Sequence, residues 1–312
     1  MLLLRAPRLA GRRGLSVVSS PRVRVAIDDG IAVVTLARPE KMNALDLPMF
    51  LAIRDAAKKL AEHRDVRAVV LHGEGRAFCA GLDVKSILAS GSAAKQLLER
   101  TGEANLAQEV SYLWRKIPAP VIAAVHGVCF GGGFQIALGA DMRVAERSTK
   151  FSVMEAKWGI VPDMGASLTF PEVMARDVAK ELAMTGRVFD ADEARQLNVV
   201  TRVVEKDAFG EALNIAKQIA KRSPDSTAAN KRLFDAAYDS PGGSDARLLK
   251  LETALQLRLL GTWNQLTSSA LGLGAPAALT PGFANADLKW SEEADEVAQQ
   301  KVEAMLQGVE AR

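Results

Sequence analysis

From Val23 to Ala37, in "VRVAIDDGIAVVTLA", apolar and polar positions alternate on both sides of Asp28-Asp29-Gly30. Period-two alternation about an Asp-Gly step predicts two antiparallel strands joined by a tight hairpin. The rhythm then changes: in "LPMFLAIRDAAKKLAEH", Phe50, Ile53, Ala57 and Leu60 recur at helical spacing, which predicts an amphipathic helix. "VRAVVLHG" (Val66 to Gly73) and "PVIAAVHG" (from Pro120) are short unbroken apolar runs, read as buried strands. A helical pattern from Leu97 to Ile117 lies between them. Strands alternating with helices of this length predict crossover units and a mostly parallel sheet, hence an α/β fold.

After Gly186 the pattern turns helical. "DADEARQLN", "DAFGEALNIAKQIAKRS" and "DSTAANKRLFDAAYD" each open on Asp, a good N-cap, and continue as amphipathic helices. "ARLLKLETALQLRLLG" is a fourth, and "GLGAPAALTPGFANA" reads as an irregular linker to a final acidic helix from Glu292. The expected organisation is an α/β core over 23–186, a helical subdomain over 187–272, and a linker with a terminal helix over 273–312. No internal repeat is visible.

Composition changes this picture at one end. The 312 residues are 48% hydrophobic and 25% charged, which suits a globular protein with a sizeable core. The formal charge is +3, but six arginines (Arg5, Arg8, Arg12, Arg13, Arg22 and Arg24) fall in a first stretch that holds no acid before Asp28. An Arg-rich, Ser-containing, acid-free segment predicts an organellar import peptide over about residues 1–22, and so a mitochondrial matrix protein. The alternative is a basic arm touching nucleic acid, with the protein cytoplasmic. The remainder is net acidic, so its charge does not seek nucleic acid. No apolar run is long enough to span a bilayer. Two cysteines, Cys79 and Cys129, exclude a disulfide framework, and three histidines without ligand spacing give no zinc pattern.

Candidate chemistry sits in two glycine turns, each following a buried strand: "GEGRAFCAGLDV" and the triple glycine of "HGVCFGGGFQIALGAD". Ligands of parallel sheets gather at the carboxyl ends of strands, where helix N-termini present free amides. Two such turns side by side can aim two N–H groups at one developing oxyanion. The competing reading is that the glycines only allow helix and sheet to pack closely. The chain has no GxxxxGK[ST], GxGxxG or GxSxG pattern, so phosphate loops and a serine nucleophile find no support.

Four stretches, "ARPEKMNAL", "GRAFCAGLDV", "PAPVIAAVHGVCFGGGFQIALGADMRVA" and "FSVMEAKWGIVPDMGAS", resemble in order and spacing the crotonase superfamily of enoyl-CoA hydratases and isomerases. The resemblance runs from about Val23 to about Ala270, with "LETALQLRLLGTWNQL" similar to the family's C-terminal helices. It implies a spiral of ββα units with a C-terminal helical subdomain and a homotrimer or dimer of trimers. It also implies an acyl-CoA thioester as ligand, coenzyme A being part of the substrate, with no metal or further cofactor.

Carried over by position, the resemblance assigns the oxyanion amides to Leu82 and Gly132. Ala80, Gly81, Asp83, Gly133 and Gln135 become substrate-site residues, Asp83 bracing its loop and Gln135 hydrogen-bonding without titrating. Glu155 becomes the principal base. Hydratases of the family carry Glu where this chain has Gln135, and an amide neither takes nor gives a proton at neutral pH. Asp163, eight residues after Glu155, matches the acid of dienoyl-CoA isomerases, a partial match because those enzymes carry Asp at the place of Gln135, and becomes a second catalytic carboxylate; the alternative is a cap for a helix starting near Met164. The reading is therefore a 3-enoyl- or 3,5-dienoyl-CoA isomerase, with hydration as the rival. A non-catalytic or RNA-binding member of the same fold is the alternative from another class.

Overall fold

The computed structural model describes residues 15–100, 102–239, 244–277, 280 and 282–285. Residues 1–14 of the expected import peptide and the expected helix from Glu292 lie outside the described residues.

The hairpin forms as the alternation predicts. β2 (Val23–Asp28) pairs antiparallel with β3 (Ile31–Leu36). Asp29 and Gly30 both take positive φ (47° and 76°), as a two-residue primed turn requires. β1 (Leu15–Ser19) adds to the outer edge of β2, so the end of the expected import peptide belongs to the sheet. Among the described residues, β4 (Ala68–Gly73), β5 (Val121–Val125), β7 (Met142–Glu146) and β10 (Arg202–Val204) complete a seven-stranded sheet in the order β1-β2-β3-β4-β5-β7-β10, parallel from β3 onward. A second sheet holds β6 (Val128–Phe130), β8 (Lys150–Ser152) and β9 (Val188–Asp190).

The chain winds as a spiral of ββα units, clearest where consecutive strands enter the two sheets in turn, as β5/β6 and β7/β8 do. Thus β5 and β6 lead into α5 (Gly132–Leu138). The unbroken apolar runs have a direct cause. Val69 and Leu71 enter the main core with α1 (Leu47–Glu62), whereas Ala68 and Val70 pack beneath α9 (Ala208–Ala220). Alanines at 208, 212 and 216, one helical turn apart, let α9 lie close on the sheet.

Three expectations need correcting. The pattern from Leu97 to Ile117 is not one helix: α3 (Ala93–Leu98) ends early, and α4 (Leu106–Lys116) restarts behind a capping box between Asn105 and Gln108. Between α2 (Val84–Ala89) and α3 the chain only turns. Asp225 does not cap its helix. Pro224 occupies the first position of α10 (Pro224–Asp239) and the Ser223 hydroxyl accepts the Ser226 N–H, a geometry proline favours. The expected boundary at 186 also fails, because β9, β10 and α9 belong to the two sheets and their cover. Among the described residues the helices apart from the sheets are α10, α11 (Asp245–Leu259) and α12 (Trp263–Gly272), with α10 and α11 packed through Ala229, Ala236, Leu251 and Leu255. No helix among the described residues is long and apolar enough to cross a membrane.

Candidate active site

Residues 79 to 83 are stitched in place from two sides. Cys79 forms a bridge to Cys129 of β6, its N–H donating to Val128 (3.2 Å) and its carbonyl accepting from Phe130 (3.0 Å). Three residues on, Leu45 donates to the Gly81 carbonyl (2.8 Å) and accepts from the Asp83 N–H (2.9 Å). A parallel bridge of this kind takes the neighbours' polar groups and leaves Leu82's own N–H on the opposite edge. Asp83 accepts the Ser86 N–H as the cap of α2 and pairs with Arg38 at 2.8 Å. It braces the loop and does not line the cavity described below.

The three glycines differ. Gly131 has φ 51° and ψ −120°, a conformation open to glycine alone. Its Cα lies against Glu155, whose Oε1 would stand 3.4 Å from an added Cβ. Gly132 opens α5, where a first-turn N–H has no partner within the helix. Gly133 packs on Cys79, and a Cβ there would lie 2.6 Å from the Cys79 Cβ and carbonyl oxygen. The two thiols are sealed in this packing; burial pushes Cys79 up to about 12, so neither is poised as a nucleophile.

Leu82 and Gly132 border one cavity of ≈ 740 Å³, together with Ala80, Gly81 and Glu155. Val84, Ile87, Met154, Trp158 and Ile160 make its wall largely apolar, and Lys157 stands on its rim. A cleft of ≈ 470 Å³ beneath α10 is lined by charges that neutralise one another, as in Arg115–Glu172 and Lys231–Asp141. Leu82, Gly132 and Glu155, three of the residues singled out in the sequence, meet at the larger cavity.

Glu155 lies in a 3₁₀ turn, Met154–Trp158, after β8, and is only 6% exposed. Gln135 is fully buried in α5. Its amide cannot be turned around: Oε1 accepts the Met164 N–H at 2.8 Å, so Nε2 faces Glu155 and donates to Oε1 at 2.6 Å. The other Glu155 oxygen, Oε2, is buried with no partner among the described residues. Burial raises the Glu155 pKa above the ordinary carboxylate range, and the like charge of Asp163 adds to this. The Gln135 N–H and Glu155's own backbone N–H oppose it by holding the ionised form. The result is a buried carboxylate with one oxygen anchored by Gln135 and the other without a protein partner among the described residues.

Asp163 does not cap a helix: α6 (Ala166–Val173) begins after Gly165, which sits at φ 92°. Nor does it line the cavity. Asp163 is an exposed residue, though enough protein surrounds its carboxyl to raise its pKa by desolvation, and it reaches Glu155 only through charge. The sequence reading did not single out the Met164 amide, the Trp158 wall or Arg38. A backbone donor leaves no mark in sequence, although Trp158 sits three residues from Glu155 on the same turn.

The enoyl-CoA hydratase/isomerase family pattern matches residues 26–258. A carnitinyl-CoA dehydratase of Salmonella enteritidis PT4 is 36% identical over 213 residues, 68% of this chain and 79% of the relative. Among solved structures, an enoyl-CoA hydratase from Polaromonas sp. JS666 superposes with a TM-score of 0.74 at 29% identity, covering 84% of this chain and 99% of that one. One from Mycobacterium smegmatis gives 0.73 at 29%, covering 81% and 96%. This chain belongs to the enoyl-CoA hydratase/isomerase family and has the crotonase fold.

Proposed function

We propose, from that membership, that this acyl-CoA enzyme of the hydratase/isomerase type shifts a double bond in an unsaturated acyl-CoA, with 3-enoyl-CoA as the preferred substrate. The observation that carries the reading is the unpartnered Oε2 of Glu155 beside a non-titrating Gln135. Glu155 takes a proton from C2. The electrons pass into the thioester carbonyl, and the resulting dienolate oxygen accepts the N–H groups of Leu82 and Gly132. The same carboxyl returns the proton to C4, so the double bond moves from C3–C4 to C2–C3. One carboxylate suffices for this, since it ends as it began. An apolar wall suits a hydrocarbon chain and strengthens both the base and the oxyanion contacts. Because Asp163 stands outside the cavity lining, a longer shift in a 3,5-dienoyl-CoA has less support.

A second reading, hydration or dehydration, is favoured by the names of the relatives. Water would then be held by Gln135 and activated by Glu155, with no second carboxyl to deliver the proton. The buried Glu155 carboxylate with one oxygen left unpartnered speaks against a non-catalytic or RNA-binding role, since such a group costs stability without other return. A homotrimer or dimer of trimers and a mitochondrial matrix location complete the proposal. The test is to offer 2-enoyl-, 3-enoyl- and 3,5-dienoyl-CoA to the purified protein and identify the products. Faster water addition to 2-enoyl-CoA than isomerisation of 3-enoyl-CoA would establish the second reading.

A further inference from the structure

Four side chains of alternating charge run from the N-terminal edge of the sheet to the loop that carries the Leu82 amide. Arg22, between β1 and β2, grips Asp46 as a fork: Nε lies 3.1 and 3.0 Å from the two carboxylate oxygens, and Nη2 lies 2.7 Å from Oδ2. Ser20 fixes that turn, its hydroxyl accepting the N–H groups of Arg22 (3.1 Å) and Val23 (2.9 Å). Asp46 is buried, and its Oδ1 also caps α1 by accepting the Met49 N–H at 2.9 Å. Arg38, also buried, places Nη2 between two acids, 2.8 Å from Asp83 and 3.6 Å from Asp46. Its Nη1 donates to the Ala44 carbonyl at 2.9 Å. Asp83 directly follows Leu82 and caps α2.

The two acids compete for one guanidinium. Asp46 has 5% of its side chain exposed and Asp83 18%, so Asp46 loses more by going unpaired. While Arg22 satisfies Asp46 with a bidentate contact, Arg38 is free to hold Asp83. Without Arg22, the buried Asp46 would draw Arg38 across, and Asp83 would lose its ion-pair partner.

We infer that Arg22 is a positioning residue for the oxyanion loop, acting through Asp46 and Arg38 on Asp83 and so on the Leu82 N–H. The inference rests on the proposed role of the Leu82 amide, but not on which reaction that amide serves. It also changes the reading of the N-terminus: Ser20 to Arg22 belong to the working enzyme, so any cleavage of an import peptide falls before Ser20.

The test compares the full chain with Arg22→Gln, Asp46→Asn and the double variant. Asparagine remains a good helix cap in place of Asp46 but no longer pulls on Arg38. Arg22→Gln should lower kcat on the order of tenfold with KM within about twofold, a fraction of the ~10²–10³ lost when an oxyanion donor is deleted. A conjugated acyl-CoA without an abstractable proton reports the carbonyl contact directly, because its absorbance band moves to longer wavelength when the carbonyl is hydrogen-bonded. That movement should shrink in Arg22→Gln. The double variant should recover both kcat and the band position, although its fold is less stable than the wild type. A purely structural Arg22 gives no such recovery, and a double variant as impaired as Arg22→Gln overturns the inference; so does a normal kcat and band in Arg22→Gln. If Arg22→Gln does not fold, Asp46→Asn and the double variant decide: equal kcat supports the relay and a further loss overturns it. Should the wild type hydrate rather than isomerise, the same comparison is run on hydration, and only the earlier reading falls.

Discussion

Gln135→Glu places a second carboxylate where the structure leaves no room for two charges. The Met164 N–H continues to hold one oxygen, as it holds the amide oxygen at 2.8 Å. The new oxygen then replaces Nε2, 2.6 Å from Glu155 Oε1. At that separation two unit charges repel by about 6 kcal/mol with an effective dielectric near 20. The pair therefore keeps one proton at neutral pH and titrates as a unit. One carboxyl and one carboxylate are what water addition needs, the base taking a proton from water while the acid gives one to C2. Hydration of 2-enoyl-CoA should rise on the order of 10²-fold, the usual contribution of a placed acid or base. Isomerisation of 3-enoyl-CoA should fall, since Glu155 now shares a proton. Both are read from the conjugated-thioester absorbance, which hydration removes and isomerisation creates. An unchanged hydration rate in the variant would refute the reasoning, because the pair would then have failed to supply the missing acid.

Other expectations follow from the same geometry. Glu155→Gln should lose at least ~10²-fold in activity, measured by the same assay. It should also be more stable than the wild type at neutral pH: the folded state raises the pKa of Glu155, so ionisation opposes folding above that pKa. Thermal melts should show this gain vanish as pH falls below the ordinary glutamate value, where the wild-type carboxyl is protonated in both states. Asp163→Asn should move the acid limb of kcat/KM to lower pH by removing a like charge from Glu155. Added salt should do the same to the wild type, because Asp163 is exposed. Gly133→Ala should destabilise by about 1–3 kcal/mol in denaturant titrations, its Cβ meeting the Cys79 backbone. Gly132→Ala should cost less, since it meets only the movable ends of Leu45 and Met164.

Much of the fold was legible because its strands and helices state their burial in periods of two and 3.6. The β2–β3 hairpin, α1, β4, β5 and the Asp-capped α8 (Ala191–Gln196) and α9 stand where the pattern puts them. What the pattern missed is short or non-local. β9 and β10 have three residues each, too few to show alternation, so the boundary at 186 cut through the core. The spiral repeats in backbone without repeating in sequence, because each unit buries a different neighbour. Beneath β4 the sheet meets alanines of α9, and on its other face it meets α1 and its bulkier side chains.

The site was legible to the extent that it is built from main chain. Two glycine turns after two strands mark a place where amides are bare, but they do not say what each glycine does. The sequence offered two explanations, close approach of a ligand or close packing, and the structure divides them among adjacent residues. Gly131 is required by its dihedral angles, Gly132 borders the cavity, and Gly133 is pressed on Cys79. Gln135 could be recognised as the absence of a proton carrier, but its orientation depends on the Met164 N–H, twenty-nine residues away in a different turn. That single backbone donor turns the amide toward Glu155 and leaves Oε2 buried and free to take a proton. A glutamate at 135 would use the same donor to enforce a shared proton with Glu155. On the proposed reading the same backbone donor serves either chemistry, and what separates the two is whether residue 135 can ionise.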